Sequence, residues 1–108
     1  MIYLLYGASG DASTPMYASV AIFWWEDFAL ALASGTLDPN WTGKLSLRTL
    51  LASDRCRINS EQQSRLDRAD GIVRETLSSV LLREEALPYY QTIRADKSRE
   101  HWWYFLDP

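Results

Sequence analysis

Polar positions nearly vanish over one stretch of the first third of the chain. From Pro15 to Ser34 it reads PMYASVAIFWWEDFALALAS, with Glu26 and Asp27 as the only charges. Ser13-Thr14 ahead of Pro15 is a helix start signal, since a hydroxyl caps the first free amides and proline needs no donor at the first helical position. Gly35 supplies the stop. On a helical wheel Tyr17, Ala18, Val20, Ala21, Ile22, Trp24, Trp25, Phe28 and Leu32 cover more than half the circumference. Met16, Phe23 and Leu30, seven residues apart, run up what should have been the wet side. A helix apolar nearly all round is surrounded by protein or lipid. The pattern predicts a central helix over 14–34, with a second stripe left for a partner.

The rest of the pattern predicts elements gathered around that helix. Ile2 to Tyr6 is a short apolar run closed by Gly7-Ala8-Ser9-Gly10-Asp11, which makes residues 1–13 an extended arm or a short strand. Asp38-Pro39-Asn40 is a turn, and Trp41 reads as a loop ring that plugs the end of the core. Leu47, Leu50, Leu51 and Ile58 line one side of a helix over 45–57, with Arg48, Arg55 and Arg57 spread around the rest. Asn59-Ser60 breaks it. Ser60 and Gln63 fit a capping box that opens the longest helix, 60–87. Its Leu66, Val73, Val80 and Leu87 fall at seven-residue steps, and Gly71 lies on its polar side. Pro88 closes that helix and starts a last one over 88–106, with Tyr89, Tyr90 and Ile93 as its apolar edge and Asp96 to Glu100 as a charged hinge. The expectation is an all-α fold, a compact bundle of about four helices with a short N-terminal extended arm, forming a single domain over 1–108.

Charge and composition narrow the setting. A net charge of −3 argues against a general affinity for nucleic acid or anionic membranes. One cysteine, Cys56, leaves no intrachain disulfide and points to a reducing, cytoplasmic compartment. The opening lacks the basic first region and long apolar core of a secretory signal. The central helix is near the length of a membrane span. However, Glu26 and Asp27 would sit close to the bilayer centre at about 2.5–3.5 kcal/mol each. No Lys or Arg precedes Lys44 to orient it, so no membrane is expected.

Three sets of residues carry candidate chemistry. The block from Lys44 to Arg74 has seven bases against four acids and holds two helices about a short break. In a helix-turn-helix reading, Gln62, Gln63 and Arg65 would face bases while Arg55, Arg57 and Arg68 met phosphates. The small residue and glycine of such a turn are missing, and solvated arginines account for the bias more cheaply. Acids on apolar faces form the second set: Asp70 and Glu84 on the long helix, Glu26-Asp27 on the central one. A buried carboxylate needs an arginine, a tyrosine hydroxyl or a metal. The Glu-x-x-His pair of carboxylate-bridged bundles does not occur, so pairing with arginine is expected, with no metal and no cofactor. Cys56 and His101 lack the surroundings of a nucleophile and its base. Aromatic residues are the third set. Tyr17, Trp24, Trp25, Phe28, Tyr89, Tyr90, Trp102 and Trp103 could line a cavity for a flat or cationic small molecule, with Glu26 or Asp27 as counter-charge, or could fill core and interface.

The ending Glu100-His101-Trp102-Trp103-Tyr104-Phe105-Leu106-Asp107 resembles the Trp-rich tail of small uncharacterised bacterial proteins of the mobile gene-cassette kind. That resemblance implies a bacterial cytosolic protein and no activity. The functional expectation rests instead on surplus apolar surface: Met16, Phe23 and Leu30, the MIYLLY arm, and Trp102, Trp103 and Phe105 of the tail exceed what a small bundle hides. It is a non-enzymatic homo-oligomer that binds a protein partner. An aromatic-lined small-molecule binder and a DNA-binding dimer are the alternatives.

Overall fold

Ala18, Ala21, Ile22, Trp25, Phe28, Ala29 and Leu32 recur at steps of three and four, and together they form the buried side of the first helix, α1 (Gly10–Ala33). The structure is a computed structural model that describes residues 10–53 and 57–107, with side chains from Ala18 onward. α1 begins at Gly10 rather than residue 14. Residues 10–13 are helical, and the rest of the expected arm, 1–9, lies outside the described residues. α1 closes in a Schellman motif. Gly35 takes φ 85°, its N–H donates to the Leu32 carbonyl at 2.9 Å, and the Thr36 N–H donates to that of Ala31 at 2.8 Å.

The second helix, α2 (Trp41–Leu51), starts four residues ahead of the expected 45 and stops well short of 57. Asp38 sets the start. One of its carboxylate oxygens accepts the Asn40 N–H at 2.7 Å, the other takes Lys44 Nζ at 2.7 Å, and its carbonyl accepts the Trp41 N–H at 3.0 Å. Trp41 is thus the first helical residue, buried in the core. The third helix, α3 (Ser60–Arg83), is capped by Asn59 and Gln62, one position before the expected pair. The Asn59 side chain accepts the Gln62 N–H at 2.8 Å, and Gln62 Oε1 accepts the Asn59 N–H at 2.9 Å. Gln62 Nε2 goes on to donate to Ser19 Oγ at 2.8 Å, which ties this cap to α1.

α3 ends at Arg83 and not at residue 87. A second Schellman motif closes it, with the Ala86 N–H on the Leu81 carbonyl at 2.9 Å and Glu85 at φ 59° where α1 has glycine. α4 (Leu87–Ile93) is a short helix with Pro88 in its first turn, followed by a 3-10 turn at Arg94–Asp96 and another at Trp102–Tyr104. The single helix expected over 88–106 is not formed, because Tyr90 folds the tail back instead. Its hydroxyl donates to the Trp103 carbonyl at 2.8 Å and accepts the Leu106 N–H at 2.9 Å. Gln91 and Arg94 hold Asp107 at 3.0 and 2.6 Å.

Ser19 meets Gln62, Trp25 meets Asp70, and the Arg83 guanidinium donates to the Gly35 carbonyl, so α1 and α3 run parallel. Both α2 and α3 pack on α1, which is the central helix of an all-α bundle with no strand among the described residues. The Cα radius of gyration, 14.0 Å, is near the ~13 Å of a compact domain this long. A Cβ added at Gly71, inside α3, meets nothing within 4 Å. Gly71→Ala is therefore expected to add about 0.5–1 kcal/mol, and Glu85→Gly about 1 kcal/mol by relieving the left-handed backbone. Each should raise the thermal midpoint by several degrees in a calorimetric scan.

Candidate functional site

Asp70 sits midway along α3 on the face shared by Leu66, Ala69, Val73 and Leu77, where a lone carboxylate is not tolerated. Arg48 of α2 meets it as a fork, Nε to Oδ1 and Nη2 to Oδ2, both at 2.9 Å. Trp25 of α1 donates its indole N–H to Oδ1, also at 2.9 Å. The same guanidinium lies 4.6 Å from the ring centre of Trp103 and 5.7 Å from that of Trp102. Arg74 covers Trp102 at 3.8 Å, and His101 stacks on Trp103 at 4.9 Å. One buried cluster therefore joins all three long elements to the C-terminal segment. Its carboxylate oxygens are already engaged, so it holds structure and offers no free base.

The other acids divide by exposure. Glu26 takes a fork from Arg65 at 3.1 and 2.6 Å; that hydrogen bond holds its carboxyl below the usual range against the opposing effect of burial, and raises Arg65 in turn. Lys44 foremost, with the Asn40 amide, lowers Asp38, and Arg94 with Gln91 lowers Asp107. Burial pushes the Tyr90 hydroxyl up to about 12, with the hydrogen bond from the Leu106 amide working the other way. Asp27 and Glu84 are exposed, the latter 3.7 Å from Arg83.

The structure separates the expected pocket residues. Trp25 and Tyr90 are fully buried, Trp24 is half-buried, Tyr89 lies exposed with its ring edge-on to Trp41, and Glu26 is spent on Arg65. Asp27 points to solvent; the side chains of Met16 and Tyr17 lie outside the described residues. Among the described residues an open cleft of about 370 Å³ lies elsewhere, between α2 and the C-terminal segment, and none of the expected pocket residues lines it. The helix-turn-helix reading meets an eight-residue connection, 52–59, where a turn of about three to four is needed. Gln62 is committed to its cap and Arg65 to Glu26, Arg57 is exposed ahead of α3, and Arg55 and Cys56 lie outside the described residues.

Of the expected interface residues, Phe23 and Leu30 are exposed by 58% and 63%. Trp103 is buried at 2%, while Trp102 and Phe105 are half-buried beneath Arg74 and between Arg94 and Arg99. Among the described residues no cluster of His, Cys, Asp and Glu could hold a metal, and no helix is long and apolar enough to cross a membrane. Arg48 was not singled out by sequence reasoning. The signal was there, since it falls in step with Trp41, Leu45 and Leu51 once the helix starts at Trp41. No protein family, curated protein or solved structure matches the chain, and the resemblance of residues 100–107 rests on those residues alone.

Asp70→Ala strands a buried guanidinium and is expected to cost about 3–5 kcal/mol in urea unfolding. Arg48→Lys, which loses both the fork and the stack, should recover little. The apolar double variant Arg48→Met with Asp70→Leu should cost far less than the two single losses together. The depressed carboxyls of Glu26, Asp38 and Asp107 bind protons less readily when folded than when unfolded, near pH 4. Their contribution is complete above about pH 5 and is lost as pH falls through the folded values. Urea midpoints should be level from pH 7 to 5 and fall steadily from 4 to 2, more gently in high salt.

Proposed function

We propose that the protein acts by binding protein through the outer face of α1, and that its first partner is a second copy of itself. The carrying observation is that Phe23 and Leu30, seven residues apart, stay exposed on the helix that builds the core. Val20, Trp24 and Ala31 flank them half-exposed, and Asp27 lies between. The order Val20, Phe23, Asp27, Leu30, Ser34 alternates steps of three and four, the spacing of a seam between paired helices. Its span is about 21 Å.

An antiparallel two-fold pairing about a point near Asp27 seats Phe23 of one copy on Leu30 of the other. The same symmetry brings the two Asp27 carboxylates together. A single helix face of this length covers less than the ~800 Å² per partner of stable complexes, so micromolar or weaker association is expected.

Sedimentation velocity tests it. Phe23→Ser and Leu30→Ser should abolish a concentration-dependent dimer without changing the helical circular dichroism. Asp27→Asn should tighten the dimer about tenfold by removing the like-charge contact. Monomers throughout, for both the native chain and Asp27→Asn at several hundred micromolar, would defeat the reading.

A further inference from the structure

Most of the residues that line the cleft between α2 and the C-terminal segment carry a hydrogen-bond donor on a largely apolar surface. Ser46 and Thr49 form one wall, a single turn apart on α2, and Asp96, Lys97, Ser98, His101 and Tyr104 form the other. The donors are available to different degrees. Thr49 is used, accepting the Trp103 indole N–H at 3.0 Å while its own hydroxyl donates to the Leu45 carbonyl at 3.2 Å. Ser46 Oγ and the His101 ring nitrogens have no partner among the described residues, and the Tyr104 hydroxyl has only the distant Thr49 at 3.5 Å. The His101 ring is held in place by its stack on Trp103, and Lys97 Nζ sits 5.3 Å above the Tyr104 ring.

One of the lining residues, Asp96, is itself a carboxylate, and Glu100 stands nearby. Asp96 is 3.5 Å from Lys97, but its side chain is 83% exposed, so that surface pair is easily displaced. Glu100 lies 3.5 Å from Ser98 Oγ, which leaves Ser46, Lys97, His101 and Tyr104 as the side able to receive negative charge. The volume suits a small organic molecule and exceeds what a bare oxyanion fills.

We propose that this cleft binds a small molecule through a phosphate group. Lys97 supplies the charge, the His101 imidazole and the Ser46 and Tyr104 hydroxyls supply directed hydrogen bonds, and the body of the ligand lies in the remaining space. The site is independent of α1's outer face and of self-association.

His101 is the only histidine, so its imidazole C–H resonances are a unique reporter in proton NMR. Titration with inorganic phosphate at constant ionic strength and pH 6.5 should move them saturably, with a midpoint in the millimolar range. Phenyl phosphate should bind several-fold tighter than inorganic phosphate, and acetate should bind more weakly than either. Lys97→Gln should weaken binding at least tenfold, Lys97→Arg should retain it, and Ser46→Ala, an exposed change that leaves the fold alone, should weaken it about threefold. A shift that fails to saturate by 50 mM, or an unchanged response in both Lys97→Gln and Ser46→Ala, would overturn the proposal.

Discussion

A carboxylate on the buried face of α3 fixes how this bundle goes together. Asp70 can be left among Leu66, Ala69, Val73 and Leu77 only if a cation and a donor reach it without water, and Arg48 and Trp25 do so from two other helices. Apolar side chains alone would hold α1 against α3 about as well one turn further along. Two hydrogen bonds of 2.9 Å donated by a planar fork, and a third by an indole, admit one register. The pair therefore contributes less to total stability than to the choice among packings, the role for which buried polar groups in helical assemblies are best attested.

Arg48 also decides what becomes of the tail. With its charge neutralised edge-on by Asp70, its flat face is free to receive Trp103, and Trp102 follows under Arg74. Tyr90 completes the docking by taking up both a carbonyl and an amide of the returning strand of chain. Much of the aromatic surplus visible in the sequence is absorbed in this way, since Trp103 and Tyr104 become core. What is left over among the described residues is smaller: Phe23 and Leu30 on one helix, with Leu82 and Tyr89 as the other large exposed apolar residues.

The helical class, the long α3 and the two-striped character of α1 were legible because each rests on periodicity over many residues. The errors came from single hydrogen bonds that periodicity does not register. Placing Trp41 in a loop moved the start of α2 by four residues, past the Asp38 side chain that starts the helix. That shift turned the Trp41, Leu45, Arg48, Leu51 stripe out of view and made Arg48 look like a solvated cation. The cap of α3 was read one residue late because Ser60 and Asn59 are both good caps, and only contact with Ser19 favours Gln62 over Gln63. Residues 88–106 looked helical because nothing local shows that a tyrosine hydroxyl will capture the backbone of residues 103 and 106. The cleft was invisible for a related reason, since Ser46 and Lys97 are distant in sequence and unremarkable alone.

Glu26 and Asp27 show how two adjacent acids on α1 are put to different ends. Adjacent residues on a helix point about 100° apart, so when Glu26 turns toward α3 and meets Arg65, Asp27 must turn outward. There it stands in the middle of an apolar seam, with no cation beside it among the described residues. A charge in that position costs a folded monomer nothing, because water reaches it freely. It penalises any apolar surface pressed against it, and in the proposed self-pairing it meets its own copy, which keeps that pairing weak without forbidding it. A leucine at the same place would leave Phe23 and Leu30 in an unbroken greasy stripe, prone to indiscriminate contact. With the carboxylate there the stripe is interrupted, so the like-charge contact that weakens the proposed pairing also guards a lone copy against indiscriminate contact.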